Sequence, residues 1–586
     1  MTHFAVIAPP LPGHFNPLLV LARELKGRGH TVTFVHMADA ARLVEGKGAA
    51  FHAVGEADHP PGALKAYGDR LAKPTGLPGL LGTLKATAAQ TDMLCRDLPA
   101  ALLDIGADAV IADQTEAAGG LVARHLGLPF ISTATALLLN REPGVPPPFV
   151  PWPYDPSEKG LVKNKGGYFV TDLLMTPMRR VLERHGAAFG LDPRADQGFS
   201  PLLTVAQMPK ALDFPRQELP ASFHYGSPWR DETSPVPDDG ASLPDGAGKP
   251  LVFCSLGTLQ GARGDLFEKV ARAANDLGVH LLIAHGGLLS ANAVERLSAV
   301  AEVRAFVPQR EVLRRCSAAV LHCGMNTVLD ALAMGVPLVA VPIAFEQPAT
   351  AARLAHAGVA RVVPAGKASR ASLGRALEAV LTDQGVKTSA QHVADEMAKG
   401  GGVKSAADLV EQALLAGRMR LFSGVRLLQA AAMQLLELGL QRRHRGRIEK
   451  AEGDAALLAL HRMMEPVGLH QALEIAAPRH MAKRPALMGQ PVMHEEIEEA
   501  VGGHPDAHPQ DRAPVVAPQI DEDDGEGREQ QRIEIVALED AFARLVVGLV
   551  PAPAPAMHDV FVGEPRHAFH GRHGGDDDER VDEDGH

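Results

Sequence analysis

Residues 318–341 read AAVLHCGMNTVLDALAMGVPLVAV, and this stretch decides the fold. Its first four residues are apolar without polar alternation, a pattern typical of a buried parallel strand. The run ends at a His-Cys-Gly sequence, and the largely apolar residues 328–334 then predict a helix, which Gly335-Val-Pro337 closes. Residues 338–341 supply the next strand. A strand, a helix and a strand in this order predict a right-handed parallel α/β unit.

The polar residues of this unit form a candidate anion site. A strand that passes through glycine into a helix leaves free backbone N–H groups at the positive end of the helix dipole, where phosphates bind. Asn326 and Thr327 stand at this helix start, and Asp330 lies one turn inside, placed to accept hydrogen bonds from vicinal ribose hydroxyls. Glu346 and Gln347 follow the second strand at its carboxyl end, the edge where open parallel sheets bind ligands.

Two further elements complete the set: the segment Phe306-Val-Pro-Gln309 and His322, which ends the first strand. Helix capping would explain Asn326, Thr327 or Asp330 taken singly. Capping does not explain the whole ordered set. The set indicates a pocket for a nucleotide diphosphate sugar.

Length and charge limit the classes of protein. The 586 residues exceed one ordinary domain and can form several cores. The net charge of −12 argues against nucleic acid as a partner, because a phosphate backbone needs a basic surface. The four cysteines have no paired spacing, so the sequence indicates neither a disulfide framework nor a zinc site.

The start of the chain lacks the pattern of a signal peptide. Its apolar run Phe4–Ala8 is short, has no basic leader and enters a loop of proline and glycine. No stretch is long and apolar enough to span a bilayer. We therefore expect a cytoplasmic protein.

Residues 1–230 are predicted to form a first Rossmann-like domain, of α/β class. It opens with the strand Phe4–Ala8, a loop that contains His14, and a helix from about Asn16 to Lys26. A second strand-helix-strand unit follows, and its first strand ends at Asp113.

Residues 250–415 are predicted to form a second Rossmann-like domain, which faces the first across a cleft. It opens with the strand Leu251–Ser255 and a turn at Gly257-Thr258. Between the domains, residues 231–249 are rich in Pro, Gly and Asp and have no apolar period, as expected of a linker.

The tail, residues 416–586, differs in composition from the rest of the chain. Apolar residues at helical spacing over 421–435, followed by four arginines over 442–447, indicate either an ordinary surface helix or an interfacial membrane helix. From about residue 500 onward the Pro/Ala and Asp/Glu tracts predict disorder. The histidine and aspartate clusters there lack metal-ligand spacing, so no metal site is assigned.

Segment 306–347 resembles the donor-binding signature of UDP-dependent glycosyltransferases with the two-domain GT-B fold. Pro12–Pro17, Ala109–Asp113 and Ser255–Thr258 also match this family, so the resemblance covers about residues 1–415. The segment Ala134–Pro143 is similar to the corresponding part of bacterial zeaxanthin glucosyltransferases, which are carotenoid-pathway enzymes.

The resemblance implies a UDP-glucose donor and no cofactor. Phe306 would stack on uracil, Val307 would bond it through its backbone, and Gln309 and Asp330 would contact ribose. Glu346 and Gln347 would bind hexose hydroxyls. The diphosphate would be held by a third group of residues, which comprises Thr258, His322, Gly324, Asn326 and Thr327.

The expected reaction is inverting glycosyl transfer. His14 follows the first strand and Asp113 ends a neighbouring one, so the two side chains can meet; neutral imidazole is a suitable base, and Asp113 would stabilise the imidazolium. Singly, His14 would be a loop histidine and Asp113 a buried cap. The departing UDP would be met by the helix start at Asn326-Thr327 and by His322. Since residues 1–415 contain no Asp-x-Asp element, we expect metal independence.

The acceptor is expected to be a hydrophobic alcohol. Leu137–Leu139 and Val145–Trp152 form an apolar, proline-stiffened stretch beside the cleft, or equally a loop that packs on its own domain. The family resemblance favours a carotenoid such as zeaxanthin, and with it peripheral contact with the inner face of the membrane.

Other hypotheses remain open at this point. The same chemistry could act on a macrolide, a polyketide or a phenolic compound. A nucleotide-sugar epimerase would turn over its substrate without an acceptor, and a non-catalytic binding protein would be indifferent to loss of His14. A nicotinamide oxidoreductase is disfavoured because the first turn lacks Gly-x-Gly-x-x-Gly.

Overall fold

The computed structural model of the protein describes residues 1–72, 76–231 and 246–417. The predicted linker lies mostly outside these ranges, and so does the predicted tail except for residues 416 and 417. The helix hypothesis for 421–435 and the disorder prediction from residue 500 therefore fall on residues that the structure does not describe.

The first sheet has seven strands, and every pairing within it is parallel. Its order is β3-β2-β1-β4-β5-β6-β7, so β1 lies inside the sheet and successive strands are added first on one side of it and then, from β4 onward, on the other. The strands are β1 (His3–Ile7), β2 (Thr31–Met37), β3 (Ala50–Val54), β4 (Ala109–Asp113), β5 (Phe130–Ala134), β6 (Thr204–Ala206) and β7 (Phe223–His224).

The second sheet has six strands, again all parallel, in the order β10-β9-β8-β11-β12-β13. Its central strands are fully buried because helices cover both faces, which explains their unbroken apolar sequences. The strands are β8 (Leu251–Ser255), β9 (His280–Ala284), β10 (Glu302–Arg304), β11 (Ala318–Leu321), β12 (Leu338–Ala340) and β13 (Ala360–Val362).

Helices connect the strands of both sheets. Those before β8 are α1 (Pro12–Gly27), α2 (Ala63–Ala72), α3 (Gly76–Asp104), α4 (Ala117–His125), α5 (Glu158–Leu174) and α6 (Thr176–Phe189). Those after β8 are α7 (Gly257–Gln260), α8 (Gly264–Asp276), α9 (Ala291–Ser298), α10 (Gln309–Leu313), α11 (Met325–Ala333), α12 (Gln347–His356), α13 (Arg370–Thr382) and α14 (Gln384–Lys399). A last helix, α15, covers residues 402–417. None of these described helices combines the length and apolar character needed to cross a membrane.

Two expected loops are helical. Helix α1 begins at Pro12 rather than near Asn16, so His14 lies in its first turn and not in a loop. Proline at the first helical position loses no hydrogen bond and has the required φ, which explains the early start. Gly257 and Thr258, expected in a turn, begin the short helix α7, with Gly257 at φ +72°.

Helix α15 belongs to the first domain, although the sequence prediction ended the second domain at residue 415. Its residues Ala406, Ala407, Val410 and Leu414 are buried in the core around the first sheet. Arg28 of the first domain also donates to Glu411 at 2.8 Å. The first domain is therefore formed from two separate parts of the chain.

The chain crosses between the domains twice, and the two crossings touch. The backbone N–H of Gly402, on the returning segment, donates to the hydroxyl of Ser227, on the departing one, at 2.9 Å. Gly401 and Gly402 have φ values of +70° and +58°, which glycine adopts without strain.

A buried ion pair also joins the domains. Arg353 of α12 donates through Nε to Asp213 of the first domain at 2.8 Å, and its guanidinium lies over the ring of Phe214. Asp213 accepts further hydrogen bonds from Arg216 and from the hydroxyl of Tyr225, so three side chains donate to its buried carboxylate. The pair therefore links α12 of the second domain to the chain between β6 and β7 of the first.

Candidate active site

A cavity of about 2170 Å³ lies between the carboxyl ends of the two sheets. It is more than twice the volume of a typical pocket for one small ligand, so two substrates fit in it together. All the residues proposed from sequence as catalytic or donor-binding line it, with the exception of Asp113, which lies directly behind His14.

His14 and Asp113 are in contact. The imidazole Nδ1 lies 3.4 Å from Asp113 Oδ2 and 2.9 Å from the hydroxyl of Thr135. The Asp113 carboxylate is fully buried and accepts hydrogen bonds from the hydroxyls of Thr115 and Thr135. With Nδ1 held on this side, Nε2 of His14 is the ring atom left for a substrate.

The charges around His14 favour its protonated form. Burial alone would lower the pKa of His14, but the charge of Asp113, the hydrogen bond to it and the charge of Glu346 outweigh burial and raise the pKa. Burial likewise opposes ionisation of Asp113, but His14 and the hydrogen bonds from Thr115 and Thr135 keep its pKa below the ordinary value. The pair therefore consists of an ionised Asp113 carboxylate and a His14 imidazole whose basicity this carboxylate increases.

His322 is enclosed by two glycines. A Cβ on Gly324 would lie 2.4 Å from its Nε2, and a Cβ on Gly257 would lie 2.7 Å from the same atom. The prediction was that Gly324 lets a phosphate approach; the structure shows that its missing side chain makes room for the imidazole. Nδ1 of His322 is buried without a hydrogen-bond partner. The backbone of Ser255 is the polar group that interacts with this imidazole.

The charge state of His322 limits how this residue could meet the departing UDP. Burial lowers its pKa to about 4, so the imidazole is neutral at pH 7. In this state it can donate one hydrogen bond to a diphosphate, but it does not supply positive charge.

Asn326 and Thr327 stand in the first turn of α11, whose cap is Gly324. The side chain of Asn326 is already used between the domains: Nδ2 donates to the carbonyl of Gly13 at 2.7 Å, and Oδ1 accepts from Gln207 at 2.8 Å. The proposed contact of this side chain with the diphosphate stays a prediction, and the backbone N–H groups of the helix start are further candidates for that contact.

Asp330 is hydrogen-bonded on both oxygens. Its Oδ1 accepts from Nε of Arg230 at 2.5 Å, and its Oδ2 accepts from the side-chain amide of Gln309 at 2.7 Å. Gln309 and Asp330 were both expected at the ribose, and the structure brings them together. Arg230 comes from the end of the first domain, so a ribose that binds Asp330 meets a guanidinium from the opposite side of the cleft.

Phe306, Val307 and Thr258 lie around the opposite wall of the donor region. The ring of Phe306 is 49% exposed, so one face is open for a base to stack on, whereas Val307 is buried. Thr258 lies in the first turn of α7, with its side chain exposed to the cavity.

Glu346 and Gln347 stand where β12 leads into α12. The side-chain oxygen Oε1 of Gln347 accepts hydrogen bonds from the backbone N–H groups of Ile343 and Ala344 at 2.9 and 3.0 Å, which leaves the side-chain nitrogen Nε2 for a ligand. Burial raises the pKa of Glu346, although the nearby charge of His14 opposes this shift. The base and the predicted hexose-binding carboxylate are therefore neighbours.

Two non-glycine residues near these loops have left-handed backbones. Cys323 has φ +71° between His322 and Gly324, and Phe345 has φ +57° immediately before Glu346. Such conformations cost free energy, and they concentrate where the chain must present particular groups to a ligand.

One side of the cavity is largely apolar. Leu137, Leu139, Phe149 and Trp152 line it, as the sequence predicted, whereas Leu138 lies in the core. Helices α2, α3, α5 and α6 complete the wall, which the sequence did not indicate; they contribute Tyr67, Leu71, Leu80, Leu84, Tyr168, Met175 and Met178.

The chain also resembles known proteins. The model of the family described as UDP-glucoronosyl and UDP-glucosyl transferase matches residues 93–395. The zeaxanthin glucosyltransferase of Pantoea ananas is 40% identical over 422 residues, which cover 71% of this chain and 97% of that protein.

The chain belongs to this family of UDP-glycosyltransferases.

Two further relatives agree with this assignment. The zeaxanthin glucosyltransferase of Pseudescherichia vulneris is 39% identical over 418 residues, covering 71% of this chain and 98% of that protein. The crystal structure of the glycosyltransferase of kitacinnamycin superposes with a TM-score of 0.57 at 22% identity, covering 70% of this chain and 99% of that one. The architecture is thus the GT-B fold, and the protein is a glycosyltransferase that uses a nucleotide-sugar donor and an acceptor.

Several site residues of this glycosyltransferase were not found from its sequence. Thr115 could have been found from the local sequence, because the carboxylate of an Asp commonly accepts a hydrogen bond from the backbone N–H two residues later. The N–H of Thr115 donates to Asp113 in this way. Thr135 had a topological signal, since it follows β5 beside β4. No sequence pattern indicates Arg230 or Gln207, because only the docking of the domains brings these residues to α11. Within the described ranges, no group of three His, Cys, Asp or Glu residues is placed to hold a metal ion.

Proposed function

We propose that this glycosyltransferase transfers glucose from UDP-glucose, with inversion, to a hydroxyl group of a hydrophobic acceptor, zeaxanthin in the first place. The observation that carries the proposal is that one cavity contains the His14–Asp113 pair, the donor-site residues and a long apolar wall. The 40% identity with a zeaxanthin glucosyltransferase supports the choice of acceptor.

The geometry supports His14 as the general base. The acceptor hydroxyl gives its proton to Nε2, its oxygen forms a bond to the anomeric carbon, and the bond from that carbon to the diphosphate breaks with its electron pair on UDP. Asp113, held ionised by Thr115 and Thr135, stabilises the imidazolium.

The leaving UDP would be stabilised by three groups. They are the N–H groups at the start of α11, a neutral hydrogen bond from His322, and the guanidinium of Arg230, which donates to the backbone carbonyl of Asn326 at 3.1 Å. The helix start supplies positive potential, and His322 and Arg230 supply hydrogen-bond donors, with the charge of Arg230 shared with Asp330. We therefore propose that transfer needs no metal ion and no cofactor.

The proposed donor contacts are those expected from the sequence. Phe306 would stack on uracil, the backbone of Val307 would bond it, and Gln309 with Asp330 would bind ribose. Glu346 and the amide nitrogen of Gln347 would bind hexose hydroxyls, while Thr258 and Thr327 would border the diphosphate.

The test is a mass analysis of pigment after incubation of the purified protein with zeaxanthin, UDP-glucose and EDTA. We expect hexose addition by the wild type and none by His14→Ala. A wild type that binds UDP-glucose but leaves the pigment unchanged would contradict the acceptor assignment and direct the search to other alcohols. Loss of transfer in EDTA, with recovery on adding Mg²⁺, would contradict metal independence.

A further inference from the structure

Helix α5 has an unusual relation to the rest of its domain. Of its 17 residues, Glu158–Leu174, only Gly160 and Asn164 are buried. A surface helix of a globular domain normally buries an apolar stripe against the core. Helix α5 is therefore only partly covered, with Leu161, Tyr168 and Leu174 half-buried.

Three apolar residues of α5 point away from the cavity. Val162, Phe169 and Leu173 are 65%, 72% and 66% exposed and do not line the cavity, whereas Val170, which is 52% exposed, does. At 100° per residue the first three lie within about 40° of one another on the helix circumference. Because exposed apolar residues grouped on one face mark an interaction site, we call Val162, Phe169 and Leu173 the α5 surface.

Basic residues border the α5 surface on both sides. On the same helical projection, Lys165 lies to one side of the apolar stripe and Lys159 lies to the other, while Lys163 is further round and borders the cavity. Arg180 of α6 is also exposed. Segment 158–180 has five basic and two acidic residues in a chain whose net charge is −12, so this face is locally positive.

The opposite side of α5 forms a wall of the cavity. Gly167, Tyr168, Thr171 and Leu174 line it, together with the neighbouring Trp152, over whose ring the ammonium of Lys163 lies at 4.4 Å. The helix therefore separates the apolar half of the active site from the exterior by its own thickness.

We propose that the α5 surface binds an anionic phospholipid bilayer, and that the hydrophobic acceptor enters the cavity beside this helix directly from the lipid. Apolar side chains flanked by lysines are complementary to acyl chains below a negative headgroup layer. A second copy of this chain fits less well, since a two-fold contact through this face would bring like charges together. The inference rests on the proposed function for the acceptor, but binding to the bilayer does not require turnover.

The first test is flotation of the full chain with vesicles of phosphatidylcholine alone or with 30% phosphatidylglycerol, a composition chosen for its negative surface. We expect the wild type to float only with the anionic vesicles and to detach in 0.5 M salt. Phe169→Ser/Leu173→Ser should lower the bound-to-free ratio at least tenfold. Neither of these residues lines the cavity.

Matched controls separate this surface from general hydrophobicity and charge. Leu103→Ser removes another exposed leucine, 59% exposed and distant in the fold, and should bind as the wild type does. Lys159→Gln/Lys165→Gln should weaken binding to the anionic vesicles, whereas Lys210→Gln/Lys399→Gln should not.

A second readout links the surface to the acceptor. With zeaxanthin in vesicles, Phe169→Ser/Leu173→Ser should transfer glucose at least tenfold more slowly than the wild type; with acceptor in detergent micelles the two should be equal. If no acceptor is glucosylated, the proposed function fails while flotation still tests the surface. A wild type that does not float, a double variant that floats equally well, or a dimer that the variant loses would each overturn the proposal.

Discussion

At the scale of single residues, the proposed role of His14 as general base predicts how the rate depends on pH. A general base must be unprotonated, so kcat/KM rises with pH through the pKa of His14 in the free enzyme. Because Asp113 and Glu346 raise this pKa above the ordinary 6.5, we expect the acid limb of the profile to have its midpoint above pH 6.5. Asp113→Asn should move the midpoint to lower pH and reduce kcat/KM about 10²- to 10⁴-fold.

A second histidine-carboxylate pair provides the control for this profile. His280 contacts Glu302 at 2.9 Å at the start of β9, on the far side of the second domain from His14. His280→Ala should leave the profile unchanged. An Asp113→Asn profile with the wild-type midpoint would show that Asp113 does not set the basicity of His14.

Gly324 offers a second prediction at this scale. Its backbone, at φ −66° and ψ 127°, accepts alanine, so only the contact of 2.4 Å with His322 opposes Gly324→Ala. We expect the displaced imidazole to raise KM for UDP-glucose about tenfold, the loss of roughly one good hydrogen bond, with little change in KM for the acceptor. Steady-state kinetics with each substrate varied would measure both values.

Gly374→Ala is the matched control, since nothing lies within 4 Å of a Cβ there and the residue is inside α13. It should stabilise the protein slightly, by up to about 1 kcal/mol, because alanine favours a helix. The double variant Gly324→Ala/His322→Ala should regain stability but not donor affinity. Wild-type KM for UDP-glucose in Gly324→Ala would refute the steric argument.

At the scale of elements, the start of α4 contains a second unusual carboxyl group. Glu116 caps this helix, accepting from the N–H of Ala118 at 3.2 Å and from the hydroxyl of Thr91 at 2.9 Å. Burial, helped by the charge of Asp113, raises its pKa to about 7. Glu116 also borders the cavity beside Thr115.

This raised pKa predicts a particular pH dependence of stability. Between its unfolded pKa of 4.5 and about 7, the folded state binds more protons, so the contribution of Glu116 falls as pH rises through this window, by about 3 kcal/mol in total. Glu116→Gln keeps the accepting oxygen and should be more stable than the wild type at pH 8, with the difference vanishing below the unfolded pKa of 4.5. Urea unfolding at several pH values tests this, with the exposed Glu295→Gln as the control; equal pH slopes would contradict it.

The elements were largely predictable from the sequence for a physical reason. Strands such as β4, β8 and β11 are buried on both faces, so their apolar runs mark their limits. The start of α1 was missed because Pro12 and Gly13 occur equally in loops. The apolar spacing of α15 shows that it has a buried face, but a pattern of this kind does not tell which of two cores receives it.

Site residues that directly follow a strand could be predicted from the sequence. Those that reach the site only through the docking of the two domains could not. His14 and Asp113 meet because neighbouring parallel strands end at one edge. The partners of Asp330 and Asn326 could not be deduced, because Arg230 and Gln207 lie about a hundred residues away in sequence and reach α11 only across the cleft. The neutral state of His322 follows from burial, which a sequence does not display.

At the scale of the whole molecule, the return of α15 to the first domain predicts where the chain can be shortened. Truncation after Gly417 should keep transfer activity and the thermal midpoint of the full chain. Truncation after Gly400 removes four buried side chains of the first core and the carboxylate of Glu411, and should cost about 5 kcal/mol or prevent folding. Full activity of the shorter form would contradict the assignment of α15 to the first core.

The two chain crossings also determine how the domains can move. Any rotation of one domain against the other must keep both crossings connected, and these meet where Gly402 bonds Ser227. We expect the pivot of such a rotation to lie near this contact and near the Arg353–Asp213 pair, and the angle between the domains to change most at the end of the cleft farthest from them. Gly13 and Asn326 touch across the cleft and would separate as the angle between the domains opens. The same rotation would therefore both admit the donor and move His14 away from α11.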